Sequence, residues 1–204
     1  MPTPRLSDSL PSRTHDRAAL TVILFVVYLA LLVWLVMWKF ESPWVADGAG
    51  RDIKLVPYVQ TATAGANPVG EIAANVAIFV PFGMYVATLA PTWASWRAAG
   101  VFAGVSLALE IGQYVLATGA SDTADVIDNT VGGLLGIAAI ALLRRSLPGR
   151  ATALVTRVLF VGTVAVAVAV AAFIASPIRM GPHNPGHLRH FAGPESTLLP
   201  RPGN

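Results

Sequence analysis

The sequence predicts an all-α fold, a polytopic membrane bundle of about five transmembrane helices with the N-terminus inside and the C-terminus outside. Three observations predict it. Of 204 residues, 54% are hydrophobic and only 12% are charged, half of the roughly one quarter that a soluble domain carries. Mean hydropathy is +0.62. The apolar residues are gathered into runs long enough to cross a hydrocarbon core, which takes about 20 residues at about 1.5 Å each.

The first run, 18–38, contains no charge and ends in Trp34, Trp38 and Lys39, an interfacial belt. It is longer than the apolar region of a cleaved signal peptide, and AxxA at 46–49 is a poor cleavage site, so it reads as an anchor. Further spans fall at 69–90, 97–116, 123–143 and 153–175. The last contains VAVAVAVAA, whose alternation mimics a strand. Both alternating residues are apolar and the run is long, which decides for a helix. Pro91, the region of Gly119, and Pro148-Gly149 separate the spans.

Lys and Arg set the orientation. With the N-terminus inside, the cytoplasmic side holds Arg5, Arg13, Arg17, Arg97, Arg144, Arg145, Arg150 and Arg157, and the outer side Lys39, Arg51, Lys54, Arg179, Arg189 and Arg201. The short loops decide: 144–150 has three arginines and 117–122 has none. The net charge is only +3, and the basic residues flank apolar runs without forming a stripe, which argues against nucleic acid as a partner. There is no cysteine, so thiol nucleophiles, thiolate metal sites and disulfides are excluded.

This topology brings polar residues of three spans to one end. Span two begins with Glu71 and Asn75, four apart and so on one face. Span three ends with Glu110 and Gln113, three apart. Span four begins with Asp122, Asp125, Asp128 and Asn129, and at about 100° per residue Asp125, Asn129, Gly132 and Gly136 share one stripe. Small residues let membrane helices approach closely, so Gly132 and Gly136 read as packing positions and the acidic groups face other helices. A carboxylate at a helix centre costs about 2.5–3.5 kcal/mol on insertion scales and so faces a bundle interior or water; Glu110 is the clearest case. Asp122 or Ser121 suits an N-cap. Pro81, inside span two, frees a carbonyl four residues earlier and predicts an irregular turn near Asn75.

These residues resemble the VanZ-like family of bacterial membrane proteins. In that family an Asn precedes Phe-x-Pro-Phe/Leu-Gly, matched by Asn75, Phe79, Pro81, Phe82 and Gly83. A later Glu-x-x-Gln corresponds to Glu110 and Gln113, and Asp-x-x-x-Asn-x-x-Gly-x-x-x-Gly to Asp125, Asn129, Gly132 and Gly136. KLVPYVQT at 54–61 resembles the stretch before the Asn helix. Many members carry an Arg shortly before the Asp motif; GAS at 119–121 has none. The resemblance implies a multi-pass protein of the bacterial cytoplasmic membrane with a role in the cell envelope. The founding member is associated with glycopeptide resistance, to teicoplanin more than vancomycin.

Several readings stand for the cluster. Glu110, Asp125 and Asp128 offer carboxylates for catalysis, or Glu110 and Asp125 bind a hard divalent cation such as Mg²⁺ or Ca²⁺, with Asn75, Gln113, Asn129 and Glu71 as ligand-binding or orienting groups. A raised carboxyl pKa would suit acid/base work. The plain reading is interhelical glue. The corresponding functions are binding of a lipid-linked or peptidoglycan-derived ligand or glycopeptide antibiotic at the outer face, a metal-dependent membrane hydrolase or transferase, and a structural subunit of an envelope complex. The expected organisation is a disordered tail at 1–17, a four-helix domain at 18–145, a further helix at 146–176, and a disordered tail at 177–204. That last tail holds His183, His187 and His190, which Pro and Gly keep from aligning as a metal site.

Overall fold

The computed structural model describes residues 12–38, 53–59, 67–118 and 121–175. They form five long helices: α1 (Ser12–Trp38), α2 (Val69–Leu89), α3 (Ser95–Leu116), α4 (Thr123–Ser146) and α5 (Ala151–Ala175). Each contains a stretch of 20 to 24 residues long and apolar enough to span a membrane. The protein is an all-α polytopic bundle.

Local chemistry sets the helix ends. Pro68 precedes α2 in an extended conformation, and Ala90, the residue before Pro91, leaves helical geometry because proline disfavours it there. At the end of α3, Ala117 is left-handed with φ 53°, and the N–H of Thr118 returns to the Gln113 carbonyl at 3.0 Å, a Schellman-type closure. Asp122 caps α4 by accepting from the Ala124 N–H at 2.8 Å, as expected for its position. Gly149, with φ 82°, makes the tight turn into α5.

α2 and α4 pack backbone to backbone. A Cβ on Gly132 would lie 2.2 Å from the Val76 carbonyl oxygen, one on Gly136 2.1 Å from that of Val80, and one on Gly83 1.8 Å from that of Gly133. Only glycine permits this approach, and the packing expectation for Gly132 and Gly136 holds. Gly133 serves a second neighbour, since its Cβ would meet the Phe102 ring of α3 at 2.3 Å. Below the glycines, Phe82 meets Phe102 edge-on at 5.1 Å and Phe25 of α1 meets Tyr85 at 5.2 Å. The Tyr85 hydroxyl shares a 2.7 Å hydrogen bond with Thr163, which ties α5 to α2.

Three details differ from expectation. The first helix begins at Ser12, inside the segment read as a tail. The irregular turn near Pro81 does not occur: α2 runs unbroken from Val69 to Leu89. The Tyr28 hydroxyl of α1 donates to the carbonyl of Ile78, three residues before the proline, and so ties α1 to α2 there. A two-stranded parallel ladder is also present, β1 (Ile53–Lys54) beside β2 (Ser121–Asp122), in the register Ile53↔Ser121 and Lys54↔Asp122. The tails expected at 1–11 and 177–204, including the three histidines, lie outside the described residues.

Candidate functional site

The site lies where the C-terminal ends of α1 and α3 meet the N-terminal ends of α2 and α4. Glu110, Gln113, Asp125, Asp128 and Asn129 are all buried. α4 begins with acidic residues because a helix N-terminus favours negative charge, and its first two turns aim Asp125 and Asn129 at α2 and α3.

The convergence expected from helical spacing is largely realised. Asn75 of α2 donates to Asp125 Oδ1 at 2.8 Å. Asn129 of α4 donates to Ser106 Oγ of α3 at 2.8 Å, and Ser106 in turn lies 3.4 Å from the Asp125 carbonyl oxygen. Glu110 accepts the backbone N–H of Asp122 at 2.9 Å through Oε2, while its own carbonyl accepts the Ser121 hydroxyl at 2.9 Å. One residue points elsewhere. Gln113 turns to α1 and donates to the Val36 carbonyl at 2.8 Å. Glu71 sits half-buried in the first turn of α2, one turn before Asn75.

The β1 segment completes the site with residues that the helical pattern does not reveal. Lys54 is 5% exposed. Its ammonium donates to Asn67 Oδ1 at 2.6 Å and stands 3.3 Å from Asp122 Oδ2, and the Asn67 amide donates to the same Asp122 oxygen at 2.8 Å. Asp122 is therefore a helix cap and half of a buried ion pair at once. Lys54 supplies a positive charge at an end of the bundle where 119–121 has no arginine. Four residues on, the Tyr58 hydroxyl donates to Asp128 Oδ1 at 2.7 Å. Loss of solvent around that hydroxyl, the bond to Asp128, and the charges of Asp128, Asp122 and Asp125 push the Tyr58 pKa up to about 12. The signal for Lys54 and Tyr58 was their place in KLVPYVQT at 54–61, and that for Ser106 its spacing of four from Glu110; Asn67 carried none.

Most of these carboxylate oxygens are engaged by protein donors. Among the described residues no three His, Asp or Glu side chains lie close enough to share a metal ion. The unmet capacity is of another kind. Gln113 Oε1, Asp128 Oδ2 and Asn129 Oδ1 are buried and have no donor among the described residues. A buried acceptor left unsatisfied costs about 1–3 kcal/mol, so these three oxygens are the positions at which a further donor gains most.

Comparison with known proteins covers the same region. Residues 25–144, which take in most of the first four spans and every site residue named above, match the family described as VanZ/LLP1. Protein VanZ of Enterococcus faecium is 35% identical over 116 residues, which is 56% of this chain and 69% of that protein. No solved structure matches. The family match spans more than half of the sequence and contains the whole polar cluster, and the chain belongs to the VanZ/LLP1 family.

Proposed function

We propose that the protein acts at the outer face of the bacterial cytoplasmic membrane in envelope maintenance and glycopeptide resistance of the teicoplanin type. It does so by binding a lipid-linked or peptidoglycan-derived ligand, or the antibiotic itself, at the carboxylate and amide cluster. The relationship to Protein VanZ supports the resistance role, and the arginines of 144–150 support an outward-facing cluster.

One observation carries the ligand class. The buried groups without a partner among the described residues include three acceptors: Gln113 Oε1, Asp128 Oδ2 and Asn129 Oδ1. They are complemented by a molecule rich in N–H and O–H donors, which describes the sugars and peptides of cell-wall fragments and of glycopeptides alike. Among the described residues this end of the bundle holds four buried or half-buried carboxylates, Glu110, Asp122, Asp125 and Asp128, and one buried ammonium, Lys54, which pairs with Asp122, and this balance favours a donor-rich or amine-bearing group over a phosphate.

The test is teicoplanin and vancomycin susceptibility in a sensitive Gram-positive host that expresses wild type, Glu110→Gln or Asp125→Asn at equal membrane abundance. Protection by wild type that is lost in both variants supports the reading. Protection retained by both variants removes the cluster from the mechanism, and absence of protection by wild type removes the resistance role.

A further inference from the structure

The opposite end of the bundle carries a second feature, independent of the polar cluster. Where α2 ends, α3 begins and α4 ends, a cavity of about 140 Å³ opens between the three helices. Its floor is apolar, from Val86, Ala98, Ile137 and Ile140, and its rim holds Trp93 and Arg144. Ala98 and Ile140 are fully buried, while Trp93 is 47% exposed. Arg144 donates to the Ala87 carbonyl at 3.1 Å. That bond satisfies one orphan carbonyl at the end of α2 and anchors the guanidinium at the mouth, and it uses one of five N–H donors.

The surroundings are basic throughout. Segments 90–98 and 141–157 contain Arg97, Arg144, Arg145, Arg150 and Arg157 and no acidic residue. Trp96 is 72% exposed, and the Arg97 guanidinium lies 5.2 Å from its ring centre. Exposed tryptophans at helix ends sit at headgroup depth. An apolar cavity that opens there with Arg144 at its mouth complements a molecule with an anionic head and an aliphatic tail, and basic pockets between transmembrane helices take anionic lipid headgroups.

We propose that this end of the bundle binds an anionic phospholipid, its phosphate held by Arg144 and the start of an acyl chain seated in the cavity between α2, α3 and α4. Arginine suits the phosphate because its planar fork gives paired N–H donors. The lipid bridges α2 and α4 below their glycine contact and holds the three helices together where the loops are short.

Native mass spectrometry of the purified full chain, titrated with phosphatidylglycerol, phosphatidylcholine or glycerol 3-phosphate, tests this. Wild type is expected to retain phosphatidylglycerol about fivefold or more tightly than phosphatidylcholine, the size set by one basic side chain at an anionic headgroup. Arg144→Gln is expected to erase that preference and Arg144→Lys to keep part of it. Ala141→Phe, which fills the cavity from its rim and leaves Arg144 in place, is expected to weaken both lipids. Glycerol 3-phosphate is expected not to compete. Equal retention of the two lipids by wild type overturns the proposal. So does an undiminished preference in Arg144→Gln, unchanged binding in Ala141→Phe, or competition by glycerol 3-phosphate.

Discussion

Lys54 and Asp122 face each other twice. Their backbones are partners in the parallel ladder between β1 and β2, and their side chains form an ion pair at 3.3 Å. The ladder is only two residues long on each side, too short to persist without support. The side-chain pair, the Asn67 bridge and the bond from Thr123 Oγ1 to the Lys54 carbonyl at 3.2 Å supply it. The segment before α2 is thereby fastened to the start of α4, and Tyr58 is placed over Asp128.

Removal of one partner from a buried ion pair is costly because the other charge stays behind, typically about 3–5 kcal/mol. In Lys54→Met the Asp122 carboxylate keeps the Asn67 amide and the Ala124 N–H, so the expected loss is at the lower end, about 3 kcal/mol. Thermal unfolding in detergent measures it. Adding Asp122→Asn to Lys54→Met removes the stranded charge, and the double variant should lose less than the two single losses combined. Strict additivity would mean that the pair contributes nothing.

The glycines make an opposite pair of predictions. Gly132→Ala and Gly136→Ala each drive a Cβ into a carbonyl oxygen of α2, and neither helix can move without disturbing the site above. Each should destabilise by about 1–3 kcal/mol, the usual cost of overpacking. Gly104→Ala in α3 has nothing within 4 Å of its new Cβ and should be neutral or stabilising by up to about 1 kcal/mol, the helix-propensity gain. Comparison of the three melting curves separates backbone approach from glycine content.

The sequence made the spans legible because each apolar run matches the membrane thickness, the first bounded by Arg17 and Lys39 and the others separated by proline or glycine. Glu110, Asp125 and Asn129 were legible as convergent because helical periodicity and the alternation of short loops together place them at one end. Lys54 was not, since a two-residue strand has no period and its place depends on pairing with residues 68 positions later. Gln113 shares a face with Glu110, yet it bonds α1 rather than α4; periodicity defines a face but not the neighbour it meets. Gly133 escaped for a similar reason: it lies off the Gly132–Gly136 stripe and touches a third helix.

Tyr58 gives a pH-dependent prediction. Its folded pKa of about 12 lies above the ordinary 10.0, so the folded state holds the phenol proton more tightly than the unfolded one. The associated stability is present below pH 10 and is lost as pH rises from about 10 to about 12. Difference titration of phenolate absorbance between wild type and Tyr58→Phe isolates this group. Asp128→Asn removes a nearby charge and a strong acceptor, and should move the Tyr58 step back toward 10. A step that does not move would show that Asp128 does not face the hydroxyl.

Asn75 and Asp125 offer a test that separates holding the fold from binding a ligand. Asn75→Asp sets a second carboxylate where an amide now donates at 2.8 Å, and like charges at that distance should cost at least the bond itself, about 1–3 kcal/mol. Asp125→Asn keeps the shape and weakens the bond by removing its charge. The double variant Asn75→Asp/Asp125→Asn restores one donor and one acceptor with their positions exchanged, and should recover most of the melting temperature lost in Asn75→Asp. Glycopeptide protection should not recover with it. The exchange moves the carboxylate from α4 to α2, away from Asp128 and Asn129, whose free oxygens a ligand would share with it. Recovery of both properties would mean that the pair only holds the helices together.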